Sequence, residues 1–221
     1  MALLHRAQLT PSKLELVGGW IADQPFWQAG ADPATLERVA SFRFDDPAGE
    51  VGIETLIVRA GDTTLQVPLT YRAAPLPGGE ASLIGTMEHS VLGTRYAYDA
   101  IGDPVYLAEA ARVAATGGAE VEQYYEQDGE RRIKPGDAHV RGNGHQDAAV
   151  PAVPVDAVAI TVDSDPFASV ARWSGGSLAV SRDLGAAPSE EFSAAPLRIV
   201  GDWADMHDVL VIAVSPDTRA A

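Results

Sequence analysis

The chain has 221 residues, 31 of them acidic and 16 basic, for a formal charge of −15, and no cysteine. Because 46% of it is hydrophobic, it can bury a real core and is not read as disordered. The acids are scattered along the chain, so its surface repels phosphate backbones, which excludes nucleic acid and anionic membranes as partners.

Without cysteine there is no disulfide framework, thiolate nucleophile, iron–sulfur cluster or cysteine zinc site. Lys13 and Lys134 are the only lysines, which restricts Schiff-base or phosphate-clamp chemistry to two positions. Both sit in segments that read as ordinary structure. The first twenty residues lack a basic stretch followed by a continuous apolar core, and no run approaches the ~20 apolar residues that span a bilayer. The expectation is a soluble, cytoplasmic protein.

The first predicted element is a helix in "LTPSKLELVGGWI". Thr10 is its expected N-cap, Pro11 its first position, and Leu9 staples onto Leu14. Gly18 and Gly19 weaken it by roughly 1 kcal/mol each relative to alanine, which implies close approach of another element. From there the period changes to two. "LERVASFRF", "VGIETLIV" and "TLQVPLTYR" predict three antiparallel strands, with a hairpin turn at Ala60 to Asp62 and Pro68 at a sheet edge or bulge. "EASLIGTMEH" and "TRYAYDA" predict two more, joined through Ser90 to Gly93.

Asp103 and Pro104 open a second helix, "PVYLAEAARVAAT", capped by Asp103 and ended by a left-handed Gly117. Its stripe of Leu107, Ala108, Ala111 and Ala115 implies close packing on the sheet. "AEVEQYYE" reads as a sixth strand. Residues 128–154 are rich in Gly, Pro, Asp and Ala, lose periodicity, and read as a linker or long excursion. Five strands follow as an antiparallel meander. Its apolar face is expected to comprise Val158, Ile160, Val162, Val170, Leu178, Val180, Ile199, Leu210 and Ile212, and is too large to leave in water.

The stretches "LTPSKLELVGGWIADQPFW", "GEVGIETLIV", "LQVPLTYRAAPLPG" and "LIGTMEHSVLGTRYAYDAIGDPVY" together resemble the N-terminal cap domain of maltokinases, over roughly residues 1 to 125 and in the same order. Those enzymes phosphorylate maltose with ATP on a route from trehalose to α-glucan, and the cap precedes a kinase fold. The chain departs from the family where it reads Gln24-Pro25-Phe26-Trp27 in place of an Arg-Trp-aromatic step. It also shows no kinase-like Asp-x-x-x-x-Asn step after the cap. The resemblance implies a stand-alone cap relative of α+β class. The expected architecture is a curved, cystatin-like antiparallel sheet packed with two helices (1–127), a linker or long loop (128–154), and an antiparallel β meander packed against the first part (155–221).

Residues 85–106 concentrate able side chains. Glu88, His89 and Ser90 suggest an acid/base beside a nucleophile, yet neighbours on a strand point to opposite faces, so a structural or recognition role is the better reading. Tyr71, Arg72, Arg95 and Tyr98 on neighbouring strands could present stacking and hydrogen-bonding groups to a carboxylate or sugar hydroxyl. Glu88 and Asp99 are available as internal partners for the arginines, and internal pairing is favoured. Most aromatics are expected in the core, Trp27 being the exception in its loop. His139, His145 and Asp147 have neither a helical nor a known strand metal spacing, and the glycines of "RGNG" default to turns. No metal, cofactor or catalytic residue is assigned. Three functions stand: an accessory or regulatory module bound to a kinase or glucan-metabolising enzyme, which is favoured; a carbohydrate or other small-molecule binder; and a small enzyme using Glu88 and His89. A homo-oligomer is left open.

Overall fold

The structure, a computed structural model, describes residues 2–3, 7–27, 31–127 and 130–217. Residues 1, 4–6, 28–30, 128–129 and 218–221, which the three segments drawn from the sequence include, lie outside the described residues.

In chain order the elements are β1 (Ala2–Leu3), β2 (Leu9–Thr10), α1 (Lys13–Ile21), β3 (Glu37–Asp45), β4 (Gly52–Ala60), β5 (Thr63–Arg72), β6 (Leu83–His89), β7 (Gly93–Asp99) and α2 (Pro104–Thr116). They continue with β8 (Gln123–Gln127), β9 (Glu130–Lys134), β10 (His139–Gly142), β11 (Thr161–Ser164), β12 (Ala168–Trp173), β13 (Gly176–Ser181), α3 (Glu190–Ala194), β14 (Leu197–Trp203) and β15 (Met206–Pro216). The class is α+β, as the sequence implies.

The first sheet is antiparallel, strongly curled, and ordered β2-β6-β7-β5-β4-β3. Its strand β4, next to the edge strand β3, is buried on both faces. Leu56, Val58 and Ala60 join Val17 and Ile21 of α1 in one cluster. Ile53 and Ile57 join a second, larger cluster with Leu107, Ala110, Ala111 and Ala114 of α2. That larger cluster continues into Leu178, Val180, Ile199, Ile212 and Val214, so α2 lies between the two sheets and the C-terminal part packs on the cap-like part. Four of the nine residues expected on the apolar face do not face that core, Leu210 among them because it packs on the separate cluster around Phe192. Val158 and Val162 are exposed, and in β12 it is Ala171, one position from Val170, that turns inward. A register displaced by one residue exchanges the faces of a whole strand.

The second sheet is antiparallel but not a strict meander, because its order is β10-β14-β15-β13-β12-β11. Strand β15 inserts between β13 and β14, and α3 packs Phe192 and Ala195 against Ala213 of β15. Two strands fall within residues 128–154, where the sequence reads as linker: β9 pairs with β8 in a small third sheet, and β10 forms an edge of the second sheet. Strand β8 thus belongs to that small sheet and not to the first one.

Local signals explain most boundaries. Asp103 caps α2 as expected, accepting from Val105 N at 3.0 Å, and Gly117 ends it at φ 66°. The "RGNG" glycines are more than turn residues. Gly144 N and His145 N donate to the otherwise orphaned carbonyls of Ala114 and Ala115, each at 2.9 Å. A Cβ on Gly144 would lie 1.8 Å from the Ala115 carbonyl oxygen, so only glycine allows this approach. Helix α1 begins later than expected. Ser12, not Thr10, is its N-cap and forms a capping box with Glu15, while Leu9 is drawn into β2 against His89. Close approach at Gly18 is real, since a Cβ there would meet Pro33 O at 2.9 Å, whereas Gly19 faces open space. Pro68 lies in an interior strand but at a local edge. Strand β7 pairs with β5 only from Leu69 onward, and ahead of Pro68 the free side of β5 is bonded by Arg182 and Leu184.

Candidate functional site

Curling of the first sheet brings residues near its two ends around one cavity of about 720 Å³. One wall is the turn between β3 and β4. Asp46 rigidifies it by accepting from Ala48 N, Glu50 N and Val51 N at 2.9 to 3.0 Å. The opposite wall carries Leu9, Met87, His89 and Arg95 from β2, β6 and β7, and Lys13 at the start of α1 lies with Arg43 and Tyr71 at the base.

Beneath the base sits Glu54, on the face of β4 that α1 covers. Strand alternation puts it beside Leu56 and Val58 in an otherwise apolar layer, so its charge demands partners. Three groups meet its Oε2: Lys13 Nζ at 2.5 Å, the Tyr71 hydroxyl at 3.1 Å and Arg43 Nη2 at 3.3 Å. Burial by itself would push the Glu54 carboxyl up, but Arg43 and Lys13 together hold it down at about 2. Burial also lowers the Lys13 ammonium below the usual lysine range, Glu54 opposing and Arg43 reinforcing the shift. The Tyr71 phenol is pushed well up, by burial and then by the Glu54 charge. Around the Glu54 carboxylate thus stand a buried phenol, a guanidinium and an ammonium.

The residues singled out from the sequence divide into two groups. Tyr71, His89 and Arg95 line the cavity. Arg72, Glu88, Tyr98, Asp99 and Trp27 do not. Arg72 is paired internally, though with neither Glu88 nor Asp99: its guanidinium grips Asp103 in two bonds of 2.8 and 2.6 Å, and Thr70 Oγ1 donates to the same carboxylate at 2.7 Å. The Tyr98 hydroxyl is buried and accepts from Leu76 N at 2.8 Å. Glu88 accepts from Thr94 Oγ1 at 2.7 Å on the surface, and His89 Nδ1 accepts from Val91 N and Leu92 N in the β6–β7 turn. Trp27 packs partly buried against the α1 cluster.

Asp99 answers a residue that follows β13 directly. Arg182, wholly buried, donates to Asp99 Oδ2 at 2.5 Å, to Ser169 Oγ at 2.7 Å and to Gln66 O at 3.4 Å, and lies 4.4 Å from the centre of the Phe26 ring. Burial raises the Asp99 carboxyl, with Arg182 opposing. Among the described residues no three His, Cys, Asp or Glu side chains gather as a metal site. His139 bonds Glu120 at 2.7 Å, while the backbone of His145 caps α2.

Reasoning from sequence missed Lys13, Arg43 and Glu54. The available signal was Glu54 itself, an acid whose neighbours Ile53 and Leu56 mark a strand buried on both faces.

Residues 20–103 match the family described as the maltokinase N-terminal cap domain, inside the range of the resemblance seen in the sequence. Arg43, Glu54, Tyr71, His89 and Arg95 fall within the match, and Lys13 precedes it. No curated protein matches the chain. Among the described residues no helix is long and apolar enough to cross a membrane.

Proposed function

We propose that the chain is a noncatalytic cap-type module, accessory or regulatory to an enzyme of trehalose, maltose or α-glucan metabolism and working in the cytoplasm. The observation that carries this reading is the cap match over residues 20–103, joined through one continuous core to a second β-sheet. A kinase of the kind the family is named for, or a glucan-metabolising enzyme, is the fitting partner. The test is retention of a maltokinase, a maltosyltransferase or a branching enzyme on the immobilised chain at low salt. Failure to retain any of them removes the accessory role.

A second reading, direct binding of a sugar or another small molecule, draws support from the 720 Å³ cavity and from Tyr71, His89 and Arg95 along it. A competent site raises the melting temperature by mass action, so thermal shifts with millimolar maltose, trehalose, maltooligosaccharides and ATP test it. The absence of any shift removes it. Acid/base catalysis by Glu88 and His89 has the least behind it, since Glu88 does not line the cavity and His89 Nδ1 is occupied by its own turn.

A further inference from the structure

The group at the base of the cavity holds more positive than negative charge. Lys13 and Arg43 both reach a single oxygen of Glu54, and their side chains are only 27% and 17% exposed. Two cations on one carboxylate leave an excess positive charge where water is scarce, and an unbalanced charge there is unfavourable. Arg43 Nε is also buried without a hydrogen-bond partner. Burial, and after it Arg43, lowers the Lys13 ammonium against the opposing pull of Glu54. Arg95 approaches from the other wall, its Nη1 bonded only to the backbone oxygen of its neighbour Thr94 at 3.1 Å.

We propose that the cavity binds a small organic anion, a single phosphate or carboxylate group on a hydroxyl-bearing body, with the anionic oxygens on Lys13 and Arg43 and with Arg95 closing from the opposite wall. This rests on the second reading above, that the cavity is a ligand site, and specifies what the ligand carries. A guanidinium offers several N–H donors in a fixed fork, so Arg43 can keep Glu54 and still meet an anion. The rim supplies Asp45, Asp46 and Glu50. Asp46 is spent on its own turn, so it is Glu50 that suits the hydroxyls of a polyol, and the negative charge of the rim opposes a polyanion, so one anionic group fits where a nucleotide triphosphate does not. The formal charge of −15 works against every anion at long range, leaving affinity to these close contacts.

Calorimetric titration of the full chain with glucose 1-phosphate, gluconate, glucose and maltose tests the assignment. One or both of the charged probes is expected to bind at least about tenfold tighter than glucose, the gain that a charge-assisted hydrogen bond provides. Comparing the two charged probes separates phosphate from carboxylate. Arg43→Gln and Arg95→Gln should each weaken that binding several-fold. Arg95 lies outside the buried group, so Arg95→Gln retains the fold even if Arg43→Gln does not, and circular dichroism checks both. Neutral sugars binding as tightly as charged ones would overturn the anion while leaving the cavity a ligand site. Heat from none of the four would overturn both. Charged-probe binding unchanged in Arg95→Gln would place the anion elsewhere and overturn the assignment.

Discussion

Two buried carboxylates in this molecule have opposite surroundings. Asp99 meets one cation, Arg182, which arrives from the segment after β13 and is itself sealed from solvent. Glu54 meets two cations and a phenol, and those partners open onto a cavity. At Asp99 burial prevails and the carboxyl is raised; at Glu54 the doubled positive charge prevails and it is held at about 2. The comparison shows how a joint differs from a site. A joint closes opposite charges on one another in a sealed seam, whereas a site keeps its cations beside a space that another molecule can enter.

The largest effect is expected at the joint. Arg182→Met strands the Asp99 charge in the interior and should destabilise the fold by about 3–5 kcal/mol in urea unfolding. Adding Asp99→Asn should cost less than the two single changes summed, because the stranded charge is then gone. Additive losses would show that the pair does not act as a seam.

Acid titration separates the two carboxylates by sign. The Glu54 carboxyl is lower folded than the ordinary value of 4.5, so its contribution is complete above that pH and is lost as pH falls toward 2. A shift of that size corresponds to roughly 3 kcal/mol. Asp99, raised in the fold, binds its proton more readily folded than unfolded and so moves stability the other way, favouring acid. Stability curves between pH 5 and 2 should therefore lose most of their acid limb in Glu54→Gln. An unchanged limb would mean that the cluster is not what holds the carboxylate ionised.

Two smaller changes probe the supports. Gly144→Ala drives a Cβ against the end of α2, beside the core shared by both sheets, and should cost about 1–3 kcal/mol. Its effect should appear in global unfolding and not in ligand binding. Ser12→Ala removes the cap one residue before Lys13 and should cost about 1 kcal/mol. If it weakens glucose 1-phosphate or gluconate binding more than Gly144→Ala does, α1 is a positioning element for the cavity.

The sequence by itself determined the elements whose signals are local. Asp103, Pro104 and Gly117 bracket α2 because capping and left-handed geometry depend on adjacent residues, and β3 to β7 follow from apolar periodicity between turn residues. The antiparallel class of the C-terminal part and its need for cover were legible for the same reason. What only the tertiary structure decided is everything that depends on partners distant in the chain. Glycines that read as turns prove to be a cradle for α2, and two strands lie in a stretch without periodicity, because short edge strands bury little: Val140 alone in β10 and no residue in β9. Asp99 finds Arg182 83 positions away, and Lys13 finds Glu54 41 positions away. Charge balance in a buried cluster is a sum over groups that the fold assembles. A strand pattern can mark one of those groups as buried, but only the curl of the sheet sets which others share its oxygen.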